Sequence, residues 1–389
     1  MGGGACSFSS PENHQMAKAR PTSTPKRKSP RTPTLASLRR SIDRIDGQLI
    51  KLINERAKLA LKAGRLKESD DRPIYAPARE EDVLGRVVAK NTGPLDDRCV
   101  RAVFRELISG SRSLEAHLKV AYLGPAFSYS HLAAIHRFGH SVELIPVANI
   151  ATVFEEVNRE HADFGLVPLE NSTDGRVADT LDMFTRLPLR ICGEVQMRIH
   201  HTLLACCPRS EVMEVYSKPQ ALSQCRNWLS KHLPSARTIE VTSTSTAAKL
   251  AKDKPGAAAI ASLQAGIEYG LTPLAENIED NAANLTRFAV IGDQGAERTG
   301  QDKSAIMFEI EHRPGALAEA MSVFKRNKVN MSWIESFPIP SQPNGAYMFF
   351  IEFDGHCEDA KIRRTINAVE KSSLRFEFLG SYPDSEPVG

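Results

Sequence analysis

The sequence predicts a multidomain chain in three parts: an all-α segment, a two-lobed α/β region, and a small α+β unit of ferredoxin-like order. Three observations predict it. Apolar residues spaced alternately by four and three run across residues 34–68 with no proline. From Leu118 onward, strand-like runs alternate with helical ones in two successive series. After a polar, glycine-containing stretch the order becomes βαββαβ. A chain of 389 residues has room for two to four such domains.

Residues 1–33 come first and read as a disordered basic tail. Lys18, Arg20, Lys26, Arg27, Lys28 and Arg31 face Glu12 alone, so the tail holds +5 and the rest of a +3 chain holds −2. A stretch so poor in apolar residues buries too little surface to offset its ordering entropy. It has no apolar core of the kind a secretory signal carries, and an organellar transit peptide is the alternative. Because the basic excess is confined there, no nucleic-acid face is expected on the folded body. No run approaches the ~18 apolar residues of a membrane span. The seven cysteines are scattered and form no C-x-x-C, which suits a reducing cytoplasm. His200-His201 and Cys206-Cys207 are the nearest approach to a metal cluster, and their spacing is not that of a zinc site. Neither a metal nor a cofactor is expected.

The helical domain is expected over 34–117. Leu38, Ile42, Ile45, Leu49, Leu52, Leu59, Ala63 and Leu66 mark a seam. The first helix would be about 50 Å long at 1.5 Å per residue. Two shorter ones are expected at about 78–92 and 96–117, after Pro77 and Pro94. They cannot cover so long a seam, so a dimer with paired long helices is expected. The α/β domain spans 118–292. Its strand runs include 120–123, 142–147, 164–167, 189–191, 212–216, 238–241 and 257–261. Such alternation predicts parallel sheets in two lobes, with ligands in the cleft between them. Residues 293–303 form a linker, 304–383 the βαββαβ unit, and 384–389 a frayed tail.

Arg56 occupies a seam position where an apolar residue belongs. A guanidinium cannot deprotonate, so it needs an ion-pair partner or an anionic ligand. Lys67, eleven residues on, faces within about 20° of it, whereas Arg39 points about 100° away and suits another subunit's site. Arg79-Glu80 opens the second helix, and Ser111 and Glu115 share a face of the third. Converging cations in an apolar bundle suggest a small polyanion.

In the α/β region four strings stand out: Gly124-Pro125-Ala126-Phe127-Ser128-Tyr129-Ser130-His131, Pro168-Leu169-Glu170-Asn171-Ser172 with Gly175-Arg176-Val177, Ser217-Lys218-Pro219-Gln220-Ala221-Leu222-Ser223-Gln224-Cys225, and Asn284-Leu285-Thr286-Arg287-Phe288. The first three sit where strands lead into helices. There hydroxyl and amide residues either cap a helix or bind an anion. Thr286-Arg287 pairs a hydroxyl with a cation, as a proton donor beside a carboxylate clamp.

The helical residues resemble the all-helical chorismate mutase family, which forms intertwined dimers. That resemblance implies Arg39 from the partner and Arg56 on the substrate carboxylates. It also implies Lys67 on the breaking ether oxygen, Arg79 and Glu80 ordering the site, and Ser111 touching substrate. Glu115 stands where many members have glutamine, and a carboxyl must be protonated to donate there. Ala76 replaces an aspartate of some members. The four α/β strings resemble prephenate dehydratase. They imply Thr286 as proton donor, with Glu170, Asn171, Ser172, His201, Gln220, Gln224, Ser245 and Thr246 lining the cleft and Arg287 nearby. Phe127 stands where glycine is usual. The C-terminal unit resembles an ACT domain, a phenylalanine-sensing module. Gly315-Ala316-Leu317 and Glu335-Ser336 would hold the effector, and Phe337 replaces an arginine. Together the resemblances imply a bifunctional enzyme taking chorismate through prephenate to phenylpyruvate, as a homodimer or larger homo-oligomer. Arogenate as dehydratase substrate, or a non-catalytic amino-acid-binding protein, are the alternatives.

Overall fold

In the computed structural model the described residues are Met1, 34–69, 75–173, 175–339 and 347–388, with 67–69 described in backbone only. The expected tail, apart from Met1, lies outside them. Contacts divide the chain into two compact units, one ending at Asn54 and one beginning at Glu55. Helix α1 (Leu35–Ser69) is unbroken. Its seam residues in the first unit, Leu38, Ile42, Ile45, Leu49 and Leu52, are each about half exposed or more. In the second unit, α2 (Pro77–Val88) starts on a proline at N1, where the missing N–H costs nothing. It ends before the expected residue 92, where the Asn91 side chain turns the chain by bonding the Leu95 carbonyl and Asp97. Asp96 caps α3 (Asp97–Ser113) by accepting from the Cys99 N–H at 2.7 Å.

The first α/β lobe holds β1 (Lys119–Leu123), α4 (Tyr129–Phe138), β2 (Glu143–Val147), α5 (Ile150–Asn158), β3 (Phe164–Asn171), β4 (Gly175–Arg176), α6 (Ala178–Phe184) and β5 (Arg190–Arg198). The chain then builds the second lobe from β6 (Thr202–Ala205), β7 (Glu214–Ser217), α7 (Pro219–Gln224), α8 (Arg226–His232), β8 (Arg237–Glu240), α9 (Thr244–Asp253), β9 (Ala257–Ala261), α10 (Leu263–Tyr269) and β10 (Thr272–Ala275). It returns to the first lobe as β11 (Leu285–Gly292). Sheet orders are β2-β1-β3-β11-β5, with β4 on β3, and β10-β6-β9-β7-β8.

The expectation of purely parallel sheets needs correction. The β1–β2, β1–β3, β7–β8 and β7–β9 pairs are parallel, but β11 runs antiparallel between β3 and β5, and β6 runs antiparallel to β9 and β10. A chain that leaves one lobe and comes back must insert its return strand against the direction of departure. That strand carries Thr286.

The last unit comprises β12 (Asp302–Glu309), α11 (Ala316–Asn327), β13 (Met331–Pro338), β14 (Tyr347–Asp354), α12 (Ala360–Ser372) and β15 (Arg375–Pro383). Its antiparallel order β13-β14-β12-β15 is ferredoxin-like. The preceding linker closes on Asp302, whose carboxylate accepts from the Thr299 and Gly300 N–H groups. Met307, Phe350 and Tyr382 of this unit share one core with Ile191, Ala289 and Ile291 of the first lobe. Gly380, at φ +129°, permits the approach: a Cβ there would overlap the Ile191 carbonyl oxygen. The expected fraying of 384–389 is also corrected for residues 384–388. The open edge of β5 recruits Val388, whose N–H donates to Gln196 O at 2.8 Å while its carbonyl accepts from Arg198 N at 2.7 Å.

Candidate functional site

Two groups of polar side chains meet in the second unit. In the helical part, Arg56 Nη1 donates to Ser111 Oγ at 2.8 Å and to the Leu107 carbonyl at 3.2 Å. Ser111 Oγ itself donates to Leu107 O, so the pair is fixed on one turn of α3. Glu115 packs over Gly64, where a Cβ would come within 2.6 Å of its carboxyl carbon. A mid-helix glycine costs about 1 kcal/mol relative to alanine, and here it makes room for a carboxyl. Arg56, Ser111 and Glu115 are therefore presented by α1 and the end of α3. The Lys67 side chain lies outside the described residues. Arg39 belongs to the first unit, where it is exposed. Arg79 and Glu80 turn away from this group. Arg79 pairs with Asp82 at 2.7 Å within its own helix, and Glu80 pairs with buried Arg112.

A hydrogen-bonded chain links the two lobes of the α/β region. The Thr173 N–H donates to Asn171 Oδ1, which identifies the other terminal atom of Asn171 as its amide nitrogen. That nitrogen donates to Thr286 Oγ1 at 2.8 Å and to Asn284 Oδ1 at 3.2 Å. Asn284 donates to Gln224 Oε1 at 3.0 Å, and His201 Nε2 meets the same oxygen at 2.9 Å. Burial lowers the His201 pKa against the raising effect of Gln224, so the ring is neutral and Nε2–H is the donor. Tyr129 stands 3.3 Å from His201 Nδ1 and donates to the His200 carbonyl at 2.6 Å. Glu279 anchors the corner by accepting from the His201 N–H and meeting His200 Nδ1, each at 2.8 Å. Because Asn171 fills a lone pair of Thr286, the hydroxyl proton of Thr286 is left to donate elsewhere.

Adjacent residues of a strand face opposite sides. Thr286 faces the cleft chain, and Arg287 cannot. Expected beside the cleft, Arg287 instead lies 12% exposed among three carboxylates: Glu170 at 3.1 Å, Glu194 at 2.9 Å and Glu352 at 2.5 Å. Glu170 shares that face for the same reason. Lys303 reaches Glu194 at 3.2 Å, and Tyr382 donates to Glu352 at 2.7 Å. Burial pushes the Glu194 pKa up, but Arg287 and Lys303 outweigh it and hold it down at about 2.

Other cleft candidates have structural partners. Ser172 clasps β3 to the 283–285 segment through Ala283 O and Leu285 N. Ser245 Oγ donates to Ala126 O at 2.6 Å, and the Thr246 N–H donates to Ser243, the cap of α9. Gln220 lies half-buried on the first turn of α7. Phe127 adopts φ +64°, the left-handed region that favours glycine, and stacks edge-on against His131 and Tyr269.

In the ferredoxin-like unit, Gly315 (φ +85°) precedes α11, and Ala316 and Leu317 line a cavity of about 230 Å3 with His312 and Tyr347. Glu335 and Ser336 do not join them. Arg176, from β4, donates to Glu335 and to the Ser336 carbonyl at 3.0 Å each, and its guanidinium lies 5.9 Å from the Phe337 ring. A cation thus stands beside Phe337.

Comparison with known proteins matches residues 38–116 to chorismate mutase type II and residues 120–296 to prephenate dehydratase. The bifunctional chorismate mutase/prephenate dehydratase of Aquifex aeolicus (strain VF5) is 40% identical over 354 residues, covering 90% of this chain and 98% of the relative. The chain belongs to the bifunctional chorismate mutase/prephenate dehydratase family. The Pseudomonas aeruginosa member is 41% identical over 356 residues, with 90% and 97% covered. A solved prephenate dehydratase of Arthrobacter aurescens, in complex with L-Phe, is 34% identical with a TM-score of 0.64, covering 70% of this chain and 92% of its own.

For this family member, reading the sequence left Asn284, Glu279, Glu194, Glu352 and Arg176 out of the site. Asn284 had a signal, since it opens the Thr286 string. The acids had none, because each partner lies far away in the sequence. Glu194 carries a pH consequence. Its folded pKa is depressed from 4.5 to about 2, so its charge stabilises the fold above pH 4.5 and that stabilisation fades as pH falls toward 2. Melting temperature followed from pH 5 to pH 2 is expected to fall less steeply in Glu194→Gln than in the parent chain. Equal slopes would show that Glu194 does not contribute.

Proposed function

We propose that the chain rearranges chorismate to prephenate in its helical part and converts prephenate to phenylpyruvate in the α/β cleft. Thr286 carries the second half. Its oxygen accepts from Asn171, and its proton is available to a leaving hydroxyl. In the step proposed, the bond to the departing carboxylate breaks and its electrons enter the ring. The carbon–hydroxyl bond then opens as Oγ1–H protonates the leaving oxygen, giving carbon dioxide, water and an aromatic ring. The Asn171 N–H stabilises the charge left on Oγ1.

For the rearrangement no nucleophile is needed. Holding the reactive conformer and stabilising charge on the ether oxygen suffice. Arg56 and Ser111, already joined, are the proposed carboxylate anchor. Lys67 and a protonated Glu115 are assigned to the ether oxygen, and Arg39 from a second copy completes the clamp. The half-exposed seam of α1 supports that second copy, because apolar side chains left in water favour association. Arg79 and Glu80 are assigned no substrate contact here, since both have partners elsewhere.

The ferredoxin-like unit is proposed as an ACT domain that senses phenylalanine at Gly315–Leu317. The L-Phe bound to the Arthrobacter relative and the cavity beside Leu317 support this. Arg176 is proposed to restore the cation that Phe337 lacks. A reducing cytoplasm is the proposed setting, supported by six described cysteines that are all free thiols.

With prephenate supplied, Thr286→Ala is expected to lose about 10²–10⁴-fold in dehydratase kcat, while Thr286→Ser keeps most of it and both keep mutase activity. Full dehydratase turnover in Thr286→Ala would refute the assignment. Mutase kcat is expected to fall as pH rises through the titration of Glu115, because only the protonated carboxyl donates. The profile of Glu115→Gln should be flatter, and parallel profiles would exclude the protonated carboxyl.

A further inference from the structure

We propose that a cavity of about 810 Å3, enclosed by α2, α3, α4, β5 and the C-terminal segment, binds a small dianion through Arg105 and Arg137. One face of α3 supplies Arg101, Arg105 and Arg112, at spacings of four and seven, and α4 adds Arg137. Two of these are neutralised: Arg101 pairs with Glu81 and Arg112 with Glu80.

Arg105 and Arg137 have no ion-pair partner among the described residues. Arg137 has its Nε sealed from solvent and unbonded among the described residues, with the Tyr75 ring beneath its guanidinium at 5.5 Å. Arg112, 5% exposed, also has an unbonded Nε although its other nitrogens are engaged. The neighbouring His136 adds no compensating charge. Burial and the surrounding guanidiniums of Arg105, Arg137 and Arg101 push its pKa down to about 3, so it is neutral.

Among the other carboxylates on the cavity wall, Glu194 is held by Arg287 and Lys303, Asp384 by Lys303, and exposed Asp97 accepts from Asn91, while Glu386 is exposed on the C-terminal segment. Two like charges are thus placed in partial burial with no ion pair of their own among the described residues, since the nearby Glu81 and Glu80 are already engaged by Arg101 and Arg112. That arrangement costs free energy unless an anion completes it, and a guanidinium cannot neutralise itself. The Arg105 pKa is lowered by burial and then by Arg101 and Arg137, whereas that of Arg137 is raised, its burial being outweighed by Tyr75, Glu80 and Glu81.

A charge of two and a cavity of this size suit a dicarboxylate or inorganic phosphate. The dicarboxylate candidate is prephenate, made in the helices that form one wall; this choice alone rests on the proposed function. Neither arginine belongs to the reaction machinery assigned above.

The test is calorimetric titration of the full chain with inorganic phosphate, in parallel with the Arg105→Gln/Arg137→Gln double variant. Saturable binding is expected, weakened at least about tenfold in the double variant, while mutase and dehydratase kcat stay unchanged. Phosphate should raise the melting temperature of the parent chain and not that of the double variant. Without phosphate the double variant should melt no lower than the parent. Equal phosphate affinity in both chains, no saturable binding, or a double variant that melts lower without phosphate would each overturn the site. In a Thr286→Ala background, which consumes it about 10²–10⁴-fold more slowly, prephenate that displaces phosphate from the arginine-dependent site identifies the dicarboxylate as occupant. Arginine-dependent binding that prephenate does not displace identifies free phosphate. A chain inactive on chorismate and prephenate that still binds phosphate through these arginines would refute the proposed function and leave the site standing.

Discussion

Arg287 cannot shed its charge, and that constraint organises the second compact unit. Its carboxylate partners come from β3, β5 and β14, so one guanidinium ties two sheets together. Breaking a buried charge pair on one side costs about 3–5 kcal/mol, whereas replacing the whole set with apolar residues is often neutral. Such a cluster therefore specifies an arrangement more than it stabilises one. Strand alternation does the rest. With Arg287 and Glu170 turned to the ferredoxin-like sheet, Thr286 and Asn171 must face the cleft. Gly380 and the shared core beneath it let the two sheets meet closely enough for Glu352 to arrive.

The same geometry connects the β13 segment of the ferredoxin-like unit to the cleft. Arg176 holds Glu335 and Ser336 from a strand whose partner residues are Glu170 and Asn171. One of those residues reaches Arg287 and the other holds Thr286. Any shift of the β13 segment thus has a short route, through paired backbone, to the proposed proton donor.

Much of the architecture was legible in the sequence because it depends on local pattern. The proline-free seam, the strand–helix alternation and the βαββαβ order are all local signals, and each reappears as an element. What failed was long-range. The direction of β11 depends on which strands it enters between, and nothing within Leu285–Gly292 says that. Arg287 looked like a clamp because a cation beside a hydroxyl suggests one. Its partners stand 117, 93 and 65 residues away, where no spacing rule reaches. The partner of Glu80 was hidden for the same reason, since Arg112, which also donates to the Phe138 carbonyl, stands 32 residues away. The +3 charge gave least of all: the basic excess sits in the tail, and the remaining residues carry a net −2.

The most direct measurement is to feed chorismate to the purified full chain and follow prephenate and phenylpyruvate in one time course. Chorismate should disappear, prephenate should rise and fall, and phenylpyruvate should accumulate to match the chorismate consumed. Chorismate left intact, or prephenate accumulating with no phenylpyruvate formed, would contradict two consecutive reactions in this chain.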